Sequence, residues 1–191
     1  GANYKGLALA KVGTANFLYA ADFHNGKIDV LASNFQKVTL GSSGFETFTD
    51  PDLPSGYAPF NVAAIGGKIY VAYAKQDPTD PAEEVTGAQL GFVSAFDLNG
   101  NFQQRLVSQG RLNAPWGMGI APSGFGDVSG NLLVGGKIVT AFVRASMRES
   151  RPITPPPTHT APSAKESDSA PPSAIVIRFR SRPVAGSRRY T

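Results

Sequence analysis

The first 142 residues carry short apolar runs separated by Gly, Asn, Asp and Pro, and the runs come in an order that recurs three times. The opening run of each copy, at 5–10, 59–64 and 115–120, is rich in small residues. A second run, at 16–21, 68–73 and 131–134, is apolar on both faces, as a strand held between two layers must be. The third, at 27–31, 91–96 and 137–142, alternates apolar with polar, so one of its faces is wetter. A fourth follows twice, at 34–38 and 101–106. Apolar residues at helical spacing are missing over any useful length, and only 81–85 is compatible with a helical turn.

Turn chemistry fits the same division. Asn25-Gly26 and Asn99-Gly100 read as type I′ hairpin signals, because both central residues of that turn need positive φ. Phe60 to Trp116 sets a period of 56 residues. That exceeds the usual 40–50 of a repeated β-blade, and the excess lies in two long loops, around 39–57 and 76–90. An ordered set of strands that returns with its turns at matching offsets predicts an all-β fold: a partial β-propeller of about two and a half four-stranded blades. A β-sandwich also has short strands at regular spacing, but it does not repeat the ordered set.

Composition changes the picture beyond residue 142. Of the 21 Gly only Gly186 lies there, against 8 of the 15 Pro. Residues 1–142 hold 9 Lys and Arg against 11 Asp and Glu, whereas 143–191 hold 9 against 3, so the basic charge belongs to the tail. The division is therefore 1–142, propeller blades, and 143–191, a basic Pro/Ser-rich tail expected to be disordered for want of apolar residues to offset ordering entropy. Within it, 174–179 is the exception, a strand that pairs with an exposed sheet edge or an aggregation-prone segment flanked by Arg. Arg178, Arg180, Arg182, Arg188 and Arg189 make a salt-sensitive contact with nucleic acid or an anionic membrane the alternative to an accidental basic peptide, which is the preferred reading. No apolar run reaches 18 residues, so no membrane-spanning helix is expected. The absence of Cys excludes disulfides, thiolate catalysis and cysteine-bound zinc.

Four strings, 4–10 (YKGLALA), 22–30 (DFHNGKIDV), 56–61 (GYAPFN) and 112–117 (LNAPWG), together resemble an uncharacterised family of exported bacterial proteins, itself similar to six-bladed propellers of the NHL-repeat and gluconolactonase-like type. The resemblance covers residues 1 to about 134. It implies an extracellular or periplasmic protein with further blades on both sides, and it implies no activity. The third copy departs from the pattern: five residues equivalent to 21–25 are absent, leaving Gly135-Gly136 to close a tight hairpin. After Phe142 the phrase is not resumed, as a frame error, a fused gene or a mis-predicted exon would each produce.

Candidate chemistry is sparse. Asp22, His24 and Asn25 share one hairpin, and Asn61 lies on an innermost strand facing the central channel, so Asp22, His24 and Asn61 are the candidate ligands for a divalent metal. The competing reading has Asp22 and Asn25 capping the turn with His24 solvated. Asp50, Asp52, Asp77 and Asp80 interleave with Pro and read as solvated turn carboxylates. His24 is the only His of the front half, and no G-x-S-x-G elbow accompanies it, which disfavours serine catalysis. Gly-rich stretches at 41–44 and 124–130 lack a P-loop Lys. Trp116, Phe17, Tyr19, Phe60, Tyr70, Tyr73 and Phe92 are expected in the core between blades. The expected function is a non-enzymatic binding or scaffold propeller that meets an unknown protein or small-molecule ligand at its channel-side loops. The alternative is a fragment of a metal-dependent gluconolactonase-like hydrolase.

Overall fold

The computed structural model describes residues 1–137 and the strand 174–177. The remaining tail, with Arg178, Arg180, Arg182, Arg188 and Arg189, and the expected third strand beyond residue 137, lie outside the described residues. Among the described residues ten strands form three antiparallel sheets: β1 (Tyr4–Val12), β2 (Ala15–Asp22) and β3 (Lys27–Ala32); β4 (Tyr57–Ile65), β5 (Lys68–Lys75), β6 (Gly91–Asp97) and β7 (Phe102–Ser108); β8 (Asn113–Ile120), β9 (Leu132–Lys137) and β10 (Ala174–Ile177). Within each sheet neighbouring strands pair in chain order. Among the described residues the only helical element is a 3-10 turn, Gly126–Val128; 81–85 forms none.

The three sheets stand in a row, with β1 beside β4 and β4 beside β8. These opening strands share one irregularity. In β1 the pairing with β2 shifts between Tyr4 and Gly6; in β4 it shifts between Pro59 and Asn61, and in β8 between Pro115 and Gly117. Each shift is a bulge, an extra residue that bends the strand and re-aims its side chain. The bulged residues, Lys5, Phe60 and Trp116, meet across the row: Lys5 Nζ lies 5.9 Å from the Phe60 ring centre, and Phe60 meets Trp116 edge-on at 5.3 Å. Trp116 is 46% exposed, contrary to the expected burial, because the bulge turns it out of the space between sheets.

Two cores fill those spaces. Between the first and second sheets lie Tyr19, Ile28 and Val30 against Ile69, Val71, Phe92 and Phe96. Between the second and third lie Tyr70, Ala72, Val93 and Ala95 against Leu132 and Val134. Strand alternation produces both, since β5 sends odd positions one way and even positions the other.

Several turns differ from expectation. Asn25 and Asn99 stay outside the left-handed region; only Gly26 (φ 66°) and Gly100 (φ 88°) enter it. Gly26 N–H donates to Phe23 and Gly100 N–H to Asp97, so each link is an ordinary turn closed by a left-handed Gly rather than a type I′ pair. The two-residue turn with positive φ at both centres is Gly66-Gly67, joining β4 to β5. The expected fourth strand at 34–38 shrinks to a single bridge, Leu31 to Lys37. Gly135-Gly136 form no hairpin. They continue β9 opposite Gly117 and Pro115, where the absent Cβ matters: one on Gly136 would stand 2.8 Å from Pro115 Cα. The third place in that sheet is taken by β10, antiparallel to Leu132–Gly135. The apolar island of the tail is thus a sheet strand.

Candidate functional site

At the end of the row where β2 turns into β3 and β4 begins, the chain segment 39–56 folds back between the first two sheets. Its own sequence dictates this. Phe45 and Phe48 are too apolar for a solvated loop; both are buried, Phe45 edge-on to Phe17 at 4.9 Å and Phe48 against Tyr19 and Phe96 at 5.8 and 5.6 Å. The loop therefore carries Asp50 inward. Far from being a solvated turn residue, Asp50 has a fully buried side chain. Arg105 grips it with two bonds, Nη2 to Oδ1 at 2.6 Å and Nε to Oδ2 at 2.8 Å, and the Ser94 hydroxyl donates at 2.6 Å. Ser94 and Arg105 are partners in the β6–β7 register, so one carboxylate meets both donors. Burial pushes the Asp50 carboxyl up, but the bonds from Arg105, Ser94 and the Asp52 amide outweigh it and hold the group below its ordinary value.

Beside this pair opens a cleft of about 270 Å³, with Lys27, Thr47, Asp50, Ser55, Tyr57 and Tyr73 among its walls. Tyr73 is buried, and its hydroxyl has no hydrogen-bond partner. Burial pushes its pKa far up, and the charge of Asp50 pushes the same way. The hydroxyl therefore stays protonated, a fixed donor without an acceptor. Leaving such a group unpaired costs about 1–3 kcal/mol. Tyr73→Phe is accordingly expected to be neutral or to raise stability by about 1 kcal/mol, measured by urea unfolding; a clear loss would mean that the hydroxyl has a partner.

The residues singled out from sequence occupy other places. The Asp22 carboxylate accepts from the Asn25 amide side chain at 2.7 Å, from the Asn25 backbone N–H at 3.3 Å and from the Asn3 backbone N–H at 3.0 Å. It ties the hairpin to the chain start. His24 sits half-buried at the tip, its carbonyl taken, with that of Phe23, by the Gln76 side chain at 3.2 and 2.7 Å. Asn61 is a clamp between sheets: its side-chain N–H donates to the Trp116 carbonyl while its oxygen accepts from Val62 N–H. Gly6 faces it so closely that a Cβ would meet Asn61 Cα at 2.9 Å. Among the described residues no group of three or more His, Asp or Glu gathers as a metal site would require. Asp77 holds its own turn through Thr79. Asp29, not singled out from sequence, binds the Tyr4 hydroxyl at 2.7 Å and Lys37 and Lys27 at 2.6 and 3.1 Å.

No family model matches the chain, and no solved structure does. Three uncharacterised proteins of Acanthamoeba polyphaga mimivirus are similar to it: one 40% identical over 131 residues, 69% of this chain and 32% of the relative; a second 38% identical over 132 residues, 69% and 34%; a third 34% identical over 117 residues, 61% and 22%. The chain spans about a third or less of the length of these curated relatives. They are viral. The resemblance to an exported bacterial family of NHL-repeat or gluconolactonase-like type is thereby overturned, and the expected extracytoplasmic location loses the ground it stood on.

Proposed function

We propose that residues 1–137 with 174–177 are three successive blades of a β-propeller, and that this stretch works as a non-enzymatic binding or scaffold module. The architecture rests on the bulge repeated at Lys5, Phe60 and Trp116, in three opening strands that lie side by side. Repetition of that detail is what stacked copies of one supersecondary unit produce.

The way the polar groups are spent supports recognition rather than reaction. Asp22 is used by a turn, Asp29 by Tyr4 and two lysines, and Asp50 by Arg105 and Ser94. The cleft keeps one uncommitted buried group, the Tyr73 hydroxyl, which donates a hydrogen bond and is too weak an acid to shuttle a proton near neutrality. A cleft walled by Lys27, Thr47, Ser55 and Tyr57 supports a small polar ligand, and the loops beside it suit a larger partner.

Thermal unfolding with added calcium or zinc, or with EDTA, tests this against the hydrolase alternative. A ligand that binds only the folded state raises the melting temperature in proportion to its occupancy. No shift is expected with either metal or with chelator, and no turnover of a small lactone. A metal-dependent shift together with lactone hydrolysis would overturn the proposal.

A further inference from the structure

Beside the second strand of each sheet stands a third, and in two of the sheets it is the strand that comes next in the chain: β3 follows β2 after four residues, and β6 follows β5 after fifteen. The third sheet fills the same place from a distance. Thirty-six residues separate Lys137, where β9 ends, from Ala174, where β10 begins. The ladder they close is also the shortest of the three. β10 makes four register pairs with β9, against six between β2 and β3 and seven between β5 and β6. Sequence bounds it at its leading end, because Pro171 and Pro172 carry no N–H to lengthen it. What it borders is no outlying strand: Leu132 and Val134 are fully buried and belong to the core between the second and third sheets. The edge of such a strand, with its N–H and C=O groups in a row, is a template for an incoming extended segment.

We infer that the edge Leu132–Gly135 is a strand-addition site for an extended segment of a partner protein, and that 174–177 is its tethered, displaceable occupant. The chemistry of the partner is read from the segment seated there: apolar and mostly β-branched, as Ala174–Ile177 is, free of Pro, and antiparallel to β9. The tether makes the occupant displaceable. A link of this length holds a strand at an effective concentration of roughly millimolar order, within reach of a competing segment. The competitor also has more to gain. Gly136 and Lys137 of β9 lie beyond the ladder with β10, so a partner strand without Pro at that end has two further residues to pair with. Both members of the ladder lie within this chain, so the site is independent of the blade reading and of what adjoins either end.

The test uses the full 191-residue chain and, as the probe, a fluorescent peptide of residues 173–182, with binding read by anisotropy. Ile175→Pro with Val176→Pro disables the occupant: successive N–H groups of a strand point to opposite sides, so one of these two faces β9. Ala174→Cys with Gly135→Cys locks it, since the two stand opposite each other in a chain without other Cys, and a Cβ on Gly135 meets nothing within 4 Å. Paired antiparallel residues lie within disulfide reach, so the bond is expected to form on oxidation. The double-Pro chain should bind the peptide about tenfold more tightly than the wild type, freed of its tethered competitor. The oxidised Cys pair should not bind it, and reduction should restore wild-type binding. Failure of the bond to form, no binding by a folded double-Pro chain, or equal binding by the oxidised and reduced pair overturns the site. If the double-Pro chain loses its urea unfolding transition, the oxidised and reduced forms decide alone. A wild type that self-associates, with the oxidised Cys pair appearing as a covalent dimer in light scattering, gives the edge to the 174–177 strand of a second copy and overturns the partner protein as its occupant.

Discussion

Asp50→Ala is expected to lower unfolding free energy by about 3 kcal/mol, the toll for removing one member of a buried ion pair and leaving the other uncompensated. Arg105 retains some exposure, which places the loss toward the lower end of that range. Arg105→Met should cost more, because it strands the carboxylate, whose side chain has no exposure at all. Replacing both, Asp50→Leu with Arg105→Met, should return to within about 1 kcal/mol of the wild type, as apolar isosteres of buried pairs often do. A double-mutant cycle by urea unfolding reads all three. Additive losses would show that the pair is not coupled.

The same carboxylate sets the acid limit of the fold. Asp50 and Asp29 are buried, which alone would raise them, yet hydrogen bonds from Arg105 and Ser94 in one case, and from Lys37, Tyr4 and Lys27 in the other, bring both below the ordinary 3.8. A carboxyl depressed in the folded state binds protons more readily when unfolded. Its contribution is therefore complete above about pH 4, near the unfolded value, and is lost as pH falls through the folded one. The melting temperature should be flat from pH 7 to about 5 on this account and fall steeply below 4. In Asp50→Asn the fall should be shallower; an unchanged slope would assign the acid sensitivity to other groups.

Strand pattern and order were legible in the chain because the apolar runs are short, clearly bounded and repeated: 16–21 lies within β2, and 91–96 within β6. What escaped was long-range. Asp50 and Arg105 are 55 residues apart, and nothing in a Pro-flanked Asp announces a guanidinium on the fourth strand of another sheet. The available signal was the pair Phe45 and Phe48, since two aromatic residues three apart in a supposed surface loop must find a core. Asn61 was read as a channel-side ligand because inner-strand polar residues often are; the bulge at Phe60 instead sets it between Gly6 and the Trp116 carbonyl. For the third sheet, the shortened link after Val134 concealed that a strand could run straight through Gly135-Gly136 and recruit its neighbour from far down the chain.

Phe48→Ala should be the most damaging single apolar substitution in the loop, at about 3–5 kcal/mol, since it empties the space between Tyr19 and Phe96 where the loop is pinned. The neighbouring chain gives little relief. Gly100, at φ 88°, approaches the ring so closely that a Cβ there would stand 2.8 Å from Phe48 Cε2, so this wall was shaped around the aromatic ring. Phe48 itself holds φ at 54°, a conformation that costs an L-residue other than Gly about 1–2 kcal/mol and is maintained only by the packing of its ring. A second comparison follows from that strain. Gly is ordinarily the worse replacement for a core residue, being looser in the unfolded chain by about 0.5–1 kcal/mol relative to Ala. At position 48 the order should reverse, with Phe48→Gly the more stable of the two by about 1 kcal/mol, because Gly adopts the left-handed turn freely while Ala keeps the strain and loses the ring. Hydrogen exchange should show amides of 45–53 opening in both variants while β5 and β6 stay protected, since those strands keep their contacts with β9 on the far side. If Phe48→Ala melts the three sheets together instead, the loop is part of one cooperative unit with them, and if both variants unfold near wild type, the segment 39–56 is not what seals the first two sheets.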